Sequence, residues 1–208
     1  MDIKLNKKII YTGTITLKTG LHIGGTNAQL NIGGPDKFVV RNPINNVPYI
    51  PGSSLKGKMR ALIEIANGET NQGKPTNDIT HKAGALFGTS ADNNGHPSRL
   101  IVRDCPLITD DPECDFSNTD LPYTESKTEV AIDRITAKAN PRTFERVPAG
   151  AKFVLNMVLN IFEGEDETNL KSTVDEAFAL LQDDYLGGHG SRGYGQVEIA
   201  YTTQEKTY

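Results

Sequence analysis

No apolar run in the sequence approaches the roughly 20 residues needed to cross a bilayer, and the opening stretch MDIKLNKKII lacks the apolar core of a signal peptide. A membrane or secreted protein is therefore not expected, and the reading is a cytoplasmic one. Cysteine is scarce: Cys105 and Cys114 alone cannot build a disulfide framework, which again fits a reducing compartment. A basic excess is missing too. Lys and Arg number 22 against 26 Asp and Glu, a formal charge of −4, which taken whole argues against a nucleic-acid partner. Internal repeats and low-complexity tracts are also absent. What remains is a chain of 208 residues, 37% hydrophobic and 23% charged, suited to a single domain with insertions, 1–208.

The distribution of charge reverses its total. Asp104 to Glu125 holds seven acids and no base, and Glu163 to Asp184 holds eight acids with only Lys171. The rest of the chain is left with 21 bases against 11 acids. Association follows the local field, so an acidic chain can still present a basic face. The acidic stretches are expected to face away from any phosphate.

Hydrophobic periodicity predicts the elements. Lys8 to Lys18 alternates, with Ile9, Tyr11, Ile15 and Leu17 on one side, as a half-buried strand does. A glycine-bracketed loop, GLHIGGTNAQLNIGGP, follows over residues 20–35. Leu55, Met59, Leu62, Ile63 and Ala66 recur at helical spacing, and Arg99 to Cys105 reads as a second strand. Phe153, Leu155, Met157, Leu159 and Ile161 form one face of a third strand, and Leu170, Val174, Ala177, Phe178 and Leu181 one face of a second helix. Gln196 to Tyr201 closes the series. Strand, helix, strand, strand, helix, strand is the order of an α+β, ferredoxin-like (RRM-like) βαββαβ core. Two insertions interrupt it: a polar segment at 67–97, read as surface or lid apart from the short apolar patch Ala83 to Phe87, and 106–150, which joins an acidic loop to a stretch of mixed charge with an Asn-Pro turn. The latter suits a projecting β-hairpin arm.

Two stretches carry candidate chemistry. In VPYIPGSSLKGKMR, Ser53 or Ser54 is placed to cap a helix whose first turns bear Lys56, Lys58 and Arg60, and no acid occurs from Arg41 to Arg60. A helix N-terminus flanked by cations suits phosphate. Gly52 to Lys58 also fits G-x-x-x-x-G-K, but the next residue is Met59 where a nucleotide-binding P-loop needs a hydroxyl for magnesium. The second stretch, GGHGSRGYG, offers glycine N–H groups to an anion, Arg192 to fork onto phosphate, and His189 or Tyr194 to stack. Each stretch would supply one wall of a groove. His22 reads equally as a structural hydrogen-bonder, Asp36 as a turn residue, and His81, His96, Cys105 and Cys114 lack the spacing of common zinc sites.

TGLHIGG, IPGSSLKGKMR, LFG, IDRITAKANPR and DYLGGHGSRGYG together resemble the backbone subunit of the Csm effector complex of type III-A CRISPR systems, a member of the RAMP superfamily, over about Leu17 to Val197. The resemblance implies a helical filament of copies of the chain on a CRISPR guide RNA, in company with other Csm subunits, with no membrane partner. It implies that His22, Lys58 and the loop Gly188, His189, Gly190, Ser191, Arg192, Gly193 and Tyr194 bind RNA, with Arg134 and Arg142 on the arm; Ser53, Ser54, Lys56 and Arg60 join them as RNA-binding candidates from the cationic helix N-terminus alone. It also implies endonuclease cleavage of guide-paired target RNA at regular intervals, with Asp36 as the catalytic residue and a possible ligand of Mg²⁺ or Mn²⁺. RNA can be cut by its own 2′-hydroxyl, so one carboxylate that moves a proton or holds a metal can suffice. The alternatives are a guide-binding scaffold without chemistry, or the equivalent type III-B subunit.

Overall fold

The computed structural model describes residues 4–25, 35–70, 72–90 and 95–208. The second Gly-Gly pair of the first glycine loop therefore lies outside the described residues. In chain order the elements are β1 (Leu5–Leu17), β2 (Tyr49–Ile50), α1 (Gly52–Ala66), α2 (Lys82–Phe87), β3 (Leu100–Val102), β4 (Cys105–Pro106), β5 (Glu125–Ile132), β6 (Ala139–Arg146), β7 (Lys152–Phe162), α3 (Glu167–Asp183) and β8 (Val197–Thr207).

The main sheet has four strands in the order β3-β7-β1-β8, every neighbour antiparallel. Its strands and the two longer helices reproduce the expected strand, helix, strand, strand, helix, strand sequence. Register explains the core. Ile9 lies opposite Leu159, Tyr11 opposite Met157 and Ile15 opposite Phe153, so the apolar side of β1 and that of β7 coincide and are buried. Leu55, Met59 and Ile63 of α1 and Leu170, Val174, Ala177, Phe178 and Leu181 of α3 fill that face. Ala66, counted on the apolar side of α1, is exposed at the end of the helix.

Two expectations need correction. The strand expected over 99–105 divides: β3 pairs with β7, whereas Cys105 turns to pair with Ile50 in a separate two-stranded ribbon. Within 67–97 the apolar patch forms α2, whose Ala83, Leu86 and Phe87 join the core. Its start is bonded by the buried Glu69, which accepts from the Lys82 N–H at 2.8 Å and the Ala83 N–H at 2.9 Å. The arm is indeed a hairpin of β5 and β6, but Asn140-Pro141 does not make its turn. Both residues lie within β6, Pro141 opposite Val130, and the turn is closed by Asp133, which accepts from the N–H groups of Ile135 and Thr136. Proline is tolerated in a two-stranded arm because its missing donor faces outward.

Candidate nucleic-acid interface

The two glycine loops meet. The Gly188 N–H donates to His22 O at 2.8 Å and the Gly195 N–H to Gly20 O at 3.0 Å. Gly187 has φ +77° and a Cβ there would stand 2.5 Å from His22 O, so only glycine fits. His22 is buried and its Nδ1–H donates to Glu145 O at 2.6 Å, which fixes the tautomer because a carbonyl can only accept. Beyond His22 stand His189, Phe144 and Tyr194, with His189 4.5 Å from the Phe144 ring centre and 5.5 Å from that of Tyr194. His189 holds φ 62°, and burial, then its neighbours His22 and Arg192, lower its pKa below the ordinary histidine value.

Gly190 to Arg192 form a single 3-10 turn that rests on Tyr185, whose ring a Cβ at Gly190 would strike at 2.0 Å. Lys58 Nζ lies 3.7 Å from the centre of the same ring and 3.0 Å from Asp184. Lys58 thus reaches the glycine loop through Tyr185. Ser191, Arg192 and Gly193 are exposed, and Arg192 Nη1 reaches Glu129 Oε2 on the arm at 3.1 Å.

Lys56 and Arg60 take a different course. The Lys56 ammonium donates to Ser98 Oγ and Leu100 O at 2.7 and 2.9 Å, and burial, then Arg60, lower its pKa. The Arg60 guanidinium spans Glu64, Gly88 O and Thr76 O. Both cations therefore bind α1 to the α2 and β3 region, and the three-cation wall read from spacing contains one cation beside the glycine loop. Neither Ser53 nor Ser54 caps α1. Pro51 is the N-cap without a side-chain bond, and Asp104 Oδ1 accepts from the Gly52 N–H at 2.8 Å. The helix N-terminus expected to take a phosphate already has a carboxylate.

Asp36 is anchored where the arm leaves the body. Its N–H donates to Thr143 O at 2.9 Å and its Oδ2 accepts from the Thr143 N–H at 2.8 Å, with the carboxylate exposed. The next residues continue along β6: Glu145 N–H donates to Lys37 O, and the Val39 N–H to Glu145 Oε2 at 2.8 Å. Glu145 is 1% exposed and also accepts from Arg41 and from Thr124 Oγ1 at 2.7 Å. The arm itself carries Arg142 opposite Glu129, while Arg134 sits in the turn at the tip.

Sequence reasoning overlooked Lys127, Glu129, Phe144 and Arg146, all facing the glycine loop. Their signal was the alternation Glu125, Lys127, Glu129 within the arm. The cavity of about 400 Å³ beside Arg99, Phe162, Glu165 and Leu170 contains none of the expected binding residues. Among the described residues no group of three or more His, Cys, Asp or Glu could hold a metal ion, so His81, His96, Cys105 and Cys114 do not converge.

An antiparallel sheet with helices on one face, joined glycine loops and a charged hairpin arm beside them define a class, and comparison with known proteins agrees: the chain belongs to the RAMP superfamily, whose family model matches residues 14–198. It groups there with proteins called CRISPR system Cms endoribonuclease Csm3. That of Methanocaldococcus jannaschii is 41% identical over 207 residues, 95% of this chain and 81% of the relative. That of Streptococcus thermophilus is 44% identical over 193 residues, 91% and 86%, and that of Mycobacterium tuberculosis 41% over 210, 93% and 86%. A chain of the type III-B Cmr-beta complex bound to cognate target RNA shares the fold, with TM-score 0.67 at 17% identity, over 97% of this chain and 61% of that one. Among the described residues no helix is long and apolar enough to cross a membrane.

Proposed function

We propose that the protein is a backbone subunit of a type III-A CRISPR interference complex, forming a filament on guide RNA with other Csm subunits and cutting the paired target RNA at each arm. The observation that carries this reading is the placement of Asp36, an exposed carboxylate held at the arm base by Thr143, whose chain neighbour Phe144 packs against His22 and His189 of the two glycine loops. The relatives' name, endoribonuclease, supports the chemistry. The free thiols of Cys105 and Cys114 fit work in the cytoplasm.

In the reaction proposed, the target's 2′-oxygen attacks the adjacent phosphorus, the bond to the 5′-oxygen breaks, and the products are a cyclic phosphate and a 5′-hydroxyl, whose proton comes from water. Asp36 takes the 2′-hydroxyl proton, or holds a metal while water takes it, and the arm splays the target so that attack is in line. The donor set fits Mg²⁺ or Mn²⁺ only as an ion shared with RNA, because Asp36 gives one carboxylate and such ions complete their shell with water and phosphate oxygen. The ion would supply positive charge to the developing phosphorane. The scaffold reading is favoured by one observation, that Asp36 Oδ2 already bonds Thr143, and cleavage assays on Asp36 variants decide between the two.

Two expectations follow for RNA binding. Lys58→Ala or Arg192→Ala should weaken affinity for two unrelated RNAs alike and lower the salt slope by about 1, since phosphate contacts position without reading sequence; an unchanged slope in a salt series would remove these residues from the groove. Neutralising Asp110, Asp111, Glu113 and Asp115 together should leave that slope unaltered. Asp111 and Glu113 bind Lys152 at 2.9 and 2.5 Å and raise its pKa, so their charge is spent locally. A large gain in affinity in the same titration would put the acidic loop beside the RNA.

A further inference from the structure

Alternation along β5 sends Glu125, Lys127 and Glu129 to one side of the arm, and antiparallel pairing sets Arg146, Phe144 and Arg142 opposite them on that side. This side meets the glycine loop, for Lys127 Nζ and the Arg146 guanidinium lie 4.7 and 4.9 Å from the Tyr194 ring centre. Lys127, Arg142, Arg146 and Arg192 thus surround two acids. Both acids are engaged: Glu125 accepts from Arg146 Nε at 2.7 Å, and Glu129 stands 3.1 Å from Arg192 and 3.6 Å from Lys127.

Tyr194 adds an independent sign. It is 1% exposed, and its hydroxyl lies beside the Glu129 carboxylate. Burial, then the neighbouring Glu129, raise its pKa to about 12, so it remains a neutral donor beside that carboxylate. A buried hydroxyl needs an acceptor, and a phosphate oxygen in place of the carboxylate would supply one.

We infer that the Glu129 carboxylate occupies a phosphate subsite formed by Arg192, Lys127 and Tyr194, and that a backbone phosphate of bound RNA displaces it. The inference rests on the RNA-binding reading above. A phosphodiester carries the same single charge as a carboxylate and offers the guanidinium a similar pair of oxygens. Arg192 is 58% exposed in this pair, and exposed ion pairs contribute little, so the exchange is easily made. Without RNA, Glu129 ties arm to glycine loop; with RNA, the phosphate does so. Glu129 therefore weakens RNA binding, although it lies at the centre of the binding surface.

The test is a salt titration of a mixed-sequence single-stranded RNA with the full chain. Wild-type binding comes first, and its absence would sink the RNA-binding reading and this inference together. Given wild-type binding, Glu129→Gln should bind roughly two- to fivefold tighter with a steeper salt slope, and the gain should vanish when Arg192→Ala is added. Equal or weaker binding by a Glu129→Gln protein with an unchanged circular dichroism spectrum would overturn the inference alone, as would a gain that survives Arg192→Ala. Inorganic phosphate at matched ionic strength should not compete. Release of the RNA by phosphate would mark a free-phosphate site and contradict the assignment to an RNA backbone.

Discussion

Asp36→Ala and Asp36→Asn should each slow cleavage of guide-paired RNA by at least about 100-fold in the assembled complex, the usual scale for loss of a group that moves a proton in the transition state. Guide binding, assembly and target affinity should stay at wild-type levels. The asparagine variant separates the two roles of the residue. Its amide oxygen can still accept from the Thr143 N–H, at present bonded at 2.8 Å, so the loop stays anchored while the negative charge is lost. A group needed only in the transition state lowers rate without altering affinity, whereas a structural tie disturbs both. Single-turnover cleavage beside equilibrium binding of the same RNA measures each. Full activity in the asparagine variant with poor activity in the alanine variant would assign Asp36 to structure.

Glu145→Ala is expected to destabilise the chain by about 3 kcal/mol or more, the range for breaking a buried charge pair by removing one partner. The melting temperature should fall by roughly 6–12 °C, taking the usual 2–4 °C per kcal/mol for a chain of this size. The reason is local. Arg41, the Val39 N–H and the Thr124 hydroxyl all donate to this one carboxylate, and without it the Arg41 charge keeps only the neutral oxygens of Asn46, Pro122 and Thr124. The same node ties the segment that carries Asp36 to β6, through Glu145 N–H to Lys37 O. Glu145→Gln keeps an acceptor and should lose less. Thermal melts of the two variants beside wild type provide the check, and a shift under 2 °C for the alanine variant would show that the node holds nothing.

The faces of β1, β7, α1 and α3 were legible because a one-sided core imposes its period on the sequence, 2 for strands and 3.6 for helices. Ile9, Tyr11, Ile15 and Leu17 alternate, and all are buried. Glycine was legible for a similar reason. At Gly187 and Gly190 a side chain would collide with His22 O or with the Tyr185 ring, so the density of glycine marks a close approach.

Charge was far less legible, because a cation's partner is set by tertiary structure. Lys56, Lys58 and Arg60 are alike in sequence, yet a helix turns by about 100° per residue. Lys58 consequently meets Asp184 and Tyr185, while Lys56 and Arg60, four residues apart, meet Ser98, Leu100, Thr76 and Gly88. Ser53 and Ser54 fitted the pattern of a helix cap, and Asp104, some fifty residues distant, took the role at Gly52. The arm face was missed for the opposite reason: its acids and bases nearly cancel in any local sum. Only the pairing of β5 with β6 collects Arg142, Phe144 and Arg146 opposite Glu125, Lys127 and Glu129.

The most direct test of the account is to map the ends of fragments released from a long target RNA, paired to the guide, by complexes built with wild-type chain or with Asp36→Asn, each with Mg²⁺ and with chelator. The account predicts cuts at one constant spacing with the wild-type chain and the metal, and intact target in the other three reactions. Evenly spaced cuts that persist with Asp36→Asn, or with chelator, would contradict it.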